Sequence, residues 1–146
     1  MAAGATNDSC RFCAIIRGDE PAYIILSDAN AIAFLDVRPL FYGHTLLVPR
    51  QHIETLGDVP QDLLHPIFAG VQRLALAVEA AMDAEGTFVA INNRVSQSVP
   101  HLHIHIVPRR RGDGLRGFFW PRQKYRDEQH MREVAEAIRE ALRSVP

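Results

Sequence analysis

Residues 100–108 constrain the fold of this chain more than any other segment, because they alternate histidine with aliphatic residues between two prolines. An alternation with a period of two predicts a β-strand that has one buried face. The three histidines would then stand in a row on the opposite face, about 6.5–7 Å apart at a rise of about 3.3 Å per residue. They are His101, His103 and His105. Packing gives no reason for three imidazoles in a strand, so the row predicts an active surface.

Apolar segments elsewhere predict four further strands, which we expect at 23–27, 31–37, 44–49 and 87–92. Three helices are predicted as well: a short one at 12–17, a long one from Asp58 to near Gly86, and a C-terminal one at 127–145. The order of these elements lacks the alternation of strand and helix that a parallel sheet requires. It predicts an α+β fold, with a five-stranded antiparallel sheet and the long helix packed on one face.

Length and charge restrict the possible functions. A chain length of 146 residues predicts a single domain, which we expect at 10–146. We expect residues 1–9 to form a disordered lead. The net charge of −1 gives no indication of a nucleic acid or a membrane surface as a partner. Neither an apolar window of membrane-spanning length nor a secretory signal is evident, so we expect a cytoplasmic protein.

Two cysteines, Cys10 and Cys13, form a C-x-x-C pair at the beginning of the predicted domain. Three interpretations compete: half of a metal site, a redox pair, or a fortuitous pair. The redox interpretation is weakened because no strand precedes the pair, as one does in a thioredoxin-like unit. The metal interpretation needs two more ligands.

A row of imidazoles suits two kinds of chemistry. It could hold a catalytic metal that has an open position, or supply a nucleophile and phosphate-binding groups for attack on phosphorus. The chain after His105 offers arginines rather than a nearby acid, and arginine favours a phosphate over a cation. Polar donors precede the row, where a hairpin would bring them beside it: Asn92, Asn93, Gln97 and Ser98. The set therefore favours an anionic substrate.

The sequence from His101 to Val107 resembles the signature of the histidine triad (HIT) superfamily of nucleotide hydrolases and transferases. Gln97 and Ser98 before it, residues 43–49 with His52, and Phe34-Leu35-Asp36 support the resemblance, which extends from Cys10 to about Arg109. It implies a HIT-like fold and a hydrolase that acts on a purine nucleoside phosphoramidate or a dinucleoside polyphosphate. Transferase branches place Gln where His105 stands, which favours hydrolysis.

The resemblance also implies a role for each matching residue. His103 would be the nucleophile that forms a nucleotidyl-histidine, and His105 would hold a phosphate oxygen. His44 would support the triad, and Ser98 and Gln97 would contact the α-phosphate and the leaving group beside Asn92 or Asn93. Asp36 would bind the ribose hydroxyls, although it could simply close its strand. The apolar walls of the nucleoside pocket would be Phe12, Ile15, Phe34 and Leu35.

Bacterial members of the superfamily suggest an answer for the cysteines as well. They imply a structural zinc held by Cys10, Cys13, His52 and His101, and no catalytic cofactor. They also imply a homodimer, in which Trp120 either packs locally or reaches the partner's active site.

One departure from the family pattern concerns the loop before Gln97, which is short and contains no glycine. The donor role of its backbone could pass to Arg94 or Ser96. Two alternatives to the hydrolase remain open: a purine nucleotide-binding or scaffold protein without turnover, and a hydrolase with zinc at the triad.

Overall fold

The computed structural model describes residues 7–116 and 122–146 of the chain. They form two compact units, the first ending at Asp113 and the second beginning at Gly114. Residues 1–6, most of the predicted lead, and Trp120 lie outside the described residues. The single domain over 10–146 stays a prediction.

The first unit contains two helices and five strands. The helices are α1 (Arg11–Arg17) and α2 (Gln61–Ala81). The strands are β1 (Ile24–Ser27), β2 (Ala31–Leu35), β3 (Thr45–Pro49), β4 (Gly86–Ile91) and β5 (Ile104–Arg109). All neighbouring strands are antiparallel, and their order is β1-β2-β3-β5-β4. The predicted α+β class and five-stranded antiparallel sheet are confirmed.

Helix α1 is short because glycine ends it. Gly18 has a φ of 84°, a left-handed conformation that costs a side-chain-free residue little, and its N–H donates to the carbonyls of Ala14 and Ile15. At the other end, the Cys10 side chain accepts a hydrogen bond from the N–H of Cys13. The helix therefore has defined ends on both sides of Phe12.

The central strands β2, β3 and β5 are buried on both faces of the sheet. On one face, α2 packs against β3, β4 and β5, over a core that includes Leu47, Ile67 and Ile104. On the other face, α1 supplies Phe12 and Ile15 to a second core. Alternate residues of the central strands enter different cores, which is why β3 is buried throughout its length. Burial of each Leu- or Ile-sized side chain contributes about 1.5–3 kcal/mol.

Strand β5 begins later than the histidine pattern predicts. The predicted burial of Leu102, Ile104 and Ile106 is confirmed, but the first two histidines precede the strand. The Leu102 N–H donates to the carbonyl of Ile53 rather than to a strand, and the carbonyl of Pro49 is taken by a histidine side chain. Because proline has no N–H to give, β3 cannot continue the ladder there.

The long helix is shorter than predicted. A 3-10 turn at Leu56–Asp58 precedes it, and Asp58 accepts hydrogen bonds from the backbone N–H and hydroxyl of Thr55 instead of opening α2. Beyond its end, Asp83 adopts a φ of 50°, which a helix does not tolerate.

The second unit contains α3 (Glu128–Leu142), and the Asp127 side chain caps it by accepting from the N–H of His130. Among the helices of residues 7–116 and 122–146, none has both the length and the hydropathy that a membrane span demands.

Candidate active site

His103 presents one ring nitrogen to a carbonyl oxygen. Its Nδ1 lies 2.7 Å from the carbonyl oxygen of His101, and only 4% of the residue is exposed. A carbonyl can only accept, so Nδ1 carries the hydrogen and Nε2 holds the lone pair. This is the tautomer that a nucleophilic imidazole needs.

His44 and His105 form a second arrangement with defined tautomers. The backbone N–H of Leu40 donates to Nδ1 of His44 at 3.1 Å, so the hydrogen of the neutral ring is on Nε2. That Nε2–H donates to Nδ1 of His105 at 2.9 Å. The hydrogen of His105 is therefore on Nε2, which is buried and has no hydrogen-bond partner among the described residues. The series of hydrogen bonds from Leu40 through His44 to His105 therefore ends in an N–H donor that can bind an acceptor.

Burial keeps these two rings neutral. It lowers the pKa of His105 to about 4, and the neighbouring His103 and His44 add to that shift. Burial also lowers the pKa of His44, while the Asp36 carboxylate opposes the shift from 3.6 Å away. Both rings are uncharged at neutral pH, as their tautomers require.

A cleft of about 510 Å³ opens over these groups. Its volume is within the range that holds a small ligand. Eight of the predicted site residues line it: Phe12, Ile15, Phe34, Leu35, Asp36, Ser98, His103 and His105. Two arginines that the sequence did not single out, Arg11 and Arg38, also contribute to the lining. Nothing in the spacing of these arginines distinguished them from solvated surface charges.

Asp36 is placed so that both interpretations of its role remain open. Its Oδ1 accepts from the N–H of Arg38 at 2.8 Å and closes the turn after β2. Its Oδ2 faces His44, and the residue lines the cleft.

Three predicted residues lie away from the cleft lining, and His44 lies behind His105. Gln97 donates to the carbonyl of Glu54 at 2.6 Å and accepts from the N–H of Arg94 at 2.8 Å. Asn93 accepts from the N–H of Leu56 at 2.9 Å, and Asn92 is exposed. Their predicted contacts with substrate stay predictions.

The four predicted metal ligands meet on the α1 side of the sheet. The ligand atoms of Cys10, Cys13, His52 and His101 all lie within 4.8 Å of one another. Nδ1 of His101 is 3.5 Å from Sγ of Cys10, and Nδ1 of His52 is 3.4 Å from Sγ of Cys13. This group, here called the cysteine–histidine cluster, could hold a metal ion.

Hydrogen bonds from neighbouring groups orient two members of the cluster. Nε2 of His101 donates to the carbonyl of Pro49 at 2.8 Å, which leaves the lone pair on Nδ1 toward the sulfurs. The N–H of Asn7 donates to Sγ of Cys13 at 3.3 Å. Burial raises the pKa of the Cys13 thiol, and this hydrogen bond opposes that shift.

A second group, Asp36, His44 and His105, also has its ligand atoms within 4.8 Å of one another. Its hydrogen bonds do not suit a cation. Nδ1 of His44 is used by the Leu40 N–H, so Nε2 carries the hydrogen and has no lone pair for a metal. The histidines beside the cleft therefore suit an anion better than a cation.

Comparison with known proteins decides the family. The model of the HIT domain matches residues 17–112. This chain belongs to the HIT family. An uncharacterized HIT-like protein of Mycobacterium tuberculosis is 44% identical over 108 residues, which cover 73% of this chain and 75% of that protein. The resemblance inferred from the histidine row is confirmed.

Two further relatives of this HIT protein bear on its site. An adenosine 5′-monophosphoramidase of Candida albicans is 32% identical over 148 residues, covering 97% of this chain and 96% of that one. The structure of a Zn-bound histidine triad family protein from Mycobacterium smegmatis is 38% identical, with a TM-score of 0.70, and the match covers 88% of this chain and 97% of that one.

The glycine-free loop of this HIT protein adopts left-handed backbone without glycine. Arg94 has a φ of 67° and Ser96 a φ of 61°, and neither lines the cleft. Such conformations cost about 1–3 kcal/mol each and persist only where surrounding contacts hold them. Here the side chains of Asn93 and Gln97 fasten the loop to residues 54–56. The loop before Ser98 is thus braced by side chains, which spacing alone did not indicate.

Proposed function

We propose that this protein is a nucleotide hydrolase that acts on the α-phosphate of a purine nucleoside phosphoramidate or dinucleoside polyphosphate. Membership of the HIT family and the similarity to a monophosphoramidase support the class of reaction. The observation that carries the proposal is the pair of tautomers in the cleft. A lone pair on Nε2 of His103 and an unpartnered N–H on Nε2 of His105 belong to rings whose centroids are 5.0 Å apart.

The reaction proceeds in two displacements. Nε2 of His103 attacks the α-phosphorus, and the bond from phosphorus to the leaving nitrogen or oxygen breaks with its electron pair. The leaving group takes a proton from solvent, and the nucleotide remains bonded to His103. Water then attacks phosphorus, the bond to His103 breaks, and its electron pair returns to Nε2. Water's proton is released, and the nucleoside monophosphate leaves.

The other cleft residues bind and orient the nucleotide. The Nε2–H of His105 donates to a phosphate or leaving-group oxygen, which satisfies the buried donor. The carboxylate of Asp36 accepts from the ribose hydroxyls. Phe12, Ile15 and Phe34 are buried beside the cleft and give the purine an apolar wall.

Covalent labelling of His103 tests the proposal. Full-length protein is mixed with adenosine 5′-phosphoramidate, quenched without acid and examined by intact mass. We expect an adenylyl adduct in the wild type and none in His103→Ala. The matched control is His65→Ala, which removes an exposed histidine from α2 and should label like the wild type. Tight nucleotide binding with neither adduct nor hydrolysis would instead identify a binding protein.

We also propose that the cysteine–histidine cluster holds a structural zinc ion. Two thiolates and two imidazoles match the tetrahedral shell that zinc prefers, and four protein ligands leave no position for catalysis. The Zn-bound relative supports this choice of metal. Zinc would join the beginning of α1 to the loop that contains His52 and to His101. Elemental analysis of protein purified without added metal should find about one zinc per chain.

A homodimer is the assembly that we propose. Strand β4 is the last strand at one end of the described sheet, next to β5. A second copy that pairs along this edge would extend the sheet across a two-fold axis. Light scattering should give twice the chain mass, and a monomeric mass at working concentration would contradict the proposal.

A further inference from the structure

The cysteine–histidine cluster touches the proposed nucleophile through an aromatic ring. Phe12 lies between Cys10 and Cys13 in sequence, in the first turn of α1, and is only 6% exposed. Its ring meets that of His103 edge to face, with centroids 5.1 Å apart and planes at 80°. It also contacts Phe34 at 5.4 Å. The segment that supplies two metal ligands therefore places a rigid ring against His103.

A second link runs through His101. Its side chain points Nδ1 at the cysteine sulfurs, 3.5 Å and 3.6 Å away. Its carbonyl accepts the hydrogen bond from Nδ1 of His103 that sets the tautomer. The ring of Phe12 also contacts the ring of His101, with centroids 5.9 Å apart. The cluster is thus linked to His103 in two ways: through the hydrogen bond to the carbonyl of His101, and through the ring of Phe12, which lies between the two cysteines in sequence.

We infer that Phe12 is a positioning residue through which the cysteine–histidine cluster holds the His103 ring in its nucleophilic orientation. The inference rests on the proposed function and adds to it a role beyond that of a pocket wall. The hydrogen bond from Nδ1 defines the ring's direction, but one bond to a carbonyl leaves the ring free to rock. An aromatic ring packed edge to face with it removes that freedom. A displacement of the nucleophile by about 1 Å can cost a hundredfold in rate.

Imidazole tautomers provide a readout that does not depend on activity. Long-range 1H–15N spectra of full-length, zinc-loaded protein at pH 8 should show His103 as one tautomer, with the hydrogen on Nδ1. The variant Phe12→Leu should bind the same amount of zinc but show a mixture of tautomers. Phe12→Tyr restores the ring and should show the single tautomer again. The matched control Phe68→Leu makes the same exchange on the outer side of α2, where Phe68 is 41% exposed.

Removal of zinc provides a second test, should Phe12→Leu fail to fold. Chelator-stripped wild type should show the same mixture of His103 tautomers and recover the single one when zinc is restored. A single tautomer in either the folded Phe12→Leu variant or the stripped wild type would overturn the inference.

Single-turnover labelling separates this role from that of a pocket wall. A wall residue affects substrate affinity, whereas a residue that positions the nucleophile affects the rate at saturation. We expect Phe12→Leu to lower the saturating rate of His103 adenylylation by about tenfold or more. An unchanged saturating rate with weaker binding would reduce Phe12 to a wall. Wild type that never labels would refute the proposed function, while the tautomer result would still decide the role of Phe12.

Discussion

The imidazole of His44 donates a hydrogen bond from its Nε2 to Nδ1 of His105, across 2.9 Å. Because a backbone N–H fixes the tautomer of His44, this bond transmits a defined proton position to the edge of the cleft. The donor on His105 therefore depends on a residue that does not line the cleft.

Removal of His44 should impair turnover without removing a cleft residue. In His44→Ala, His105 is free to adopt its other tautomer, which would turn a lone pair toward the phosphate. We expect kcat to fall about tenfold to a hundredfold, the effect of losing a buried hydrogen bond of about 1–3 kcal/mol. Steady-state kinetics beside the exposed-site variant His65→Ala measure the effect. Equal kcat values in the two variants would contradict this role.

Asp36 should select for ribose hydroxyls. The variant Asp36→Asn keeps the shape of the side chain but weakens the acceptor, so KM for a ribonucleotide should rise about tenfold, or about 1.4 kcal/mol. A 2′,3′-dideoxynucleotide substrate provides the control, because it has no hydroxyl to lose. Should both substrates weaken equally, Asp36 acts through His44 rather than through the ribose.

The half-buried His105 should make the fold sensitive to acid. Its pKa is about 4 in the folded protein, below the ordinary value of 6.5, so the unfolded chain binds more protons between these pH values. The free energy of unfolding is therefore undiminished above about pH 6.5 and falls as the pH drops toward 4. Denaturant titrations at pH 7 and pH 4 measure how much the free energy of unfolding falls between these pH values. The fall should be smaller in His105→Gln than in the wild type by about 1–2 kcal/mol, a figure that allows for the partial exposure of His105. His65→Gln, at an exposed site, should lose as much as the wild type.

Loss of one cluster ligand should release the metal. In His52→Ala, three ligands remain, and we expect zinc content well below one per chain and a free energy of unfolding lower by about 2 kcal/mol or more. Elemental analysis and thermal unfolding measure the two effects, with His65→Ala as the matched histidine control. Full zinc content in His52→Ala would remove this residue from the ligand set.

Two roles for Gln97 can be separated by experiment: the contact with the leaving group that family resemblance implies, and the stabilisation of a loop that its contacts in this structure indicate. Its amide binds the backbone of Glu54 and Arg94 and holds a loop with left-handed residues. In Gln97→Ala we expect the free energy of unfolding to fall by about 1–2 kcal/mol. Chemical denaturation measures this effect. Unchanged stability with a lower kcat would favour the predicted contact with the leaving group.

The period of the apolar residues and the positions of glycine were sufficient to predict part of the core and the end of one helix. The alternation around His103 correctly placed three aliphatic residues in the core, and Gly18 correctly ended α1. The beginning of β5 was not predictable, because it depends on Pro49 and Ile53, residues distant in sequence that redirect hydrogen bonds. Local periodicity contains no information about such partners.

The candidate site shows the same limit. The cleft brings together Asp36, His103 and six other residues that the sequence singled out, but tautomers depend on individual backbone groups such as the Leu40 N–H. The roles of Asn93 and Gln97 were assigned by resemblance. In this shortened loop their amides bind backbone 37 to 43 residues away in sequence, which no local pattern indicates.

The central strands, buried on both faces, place neighbouring residues of one strand under different constraints. Leu47 of β3 belongs to the core beneath α2, whereas its neighbour Leu46 belongs to the core beside the cleft. Substitutions at Leu47 should therefore alter thermal robustness and leave the cleft intact, whereas substitutions at Leu46, which lines the cleft, should also reshape its wall.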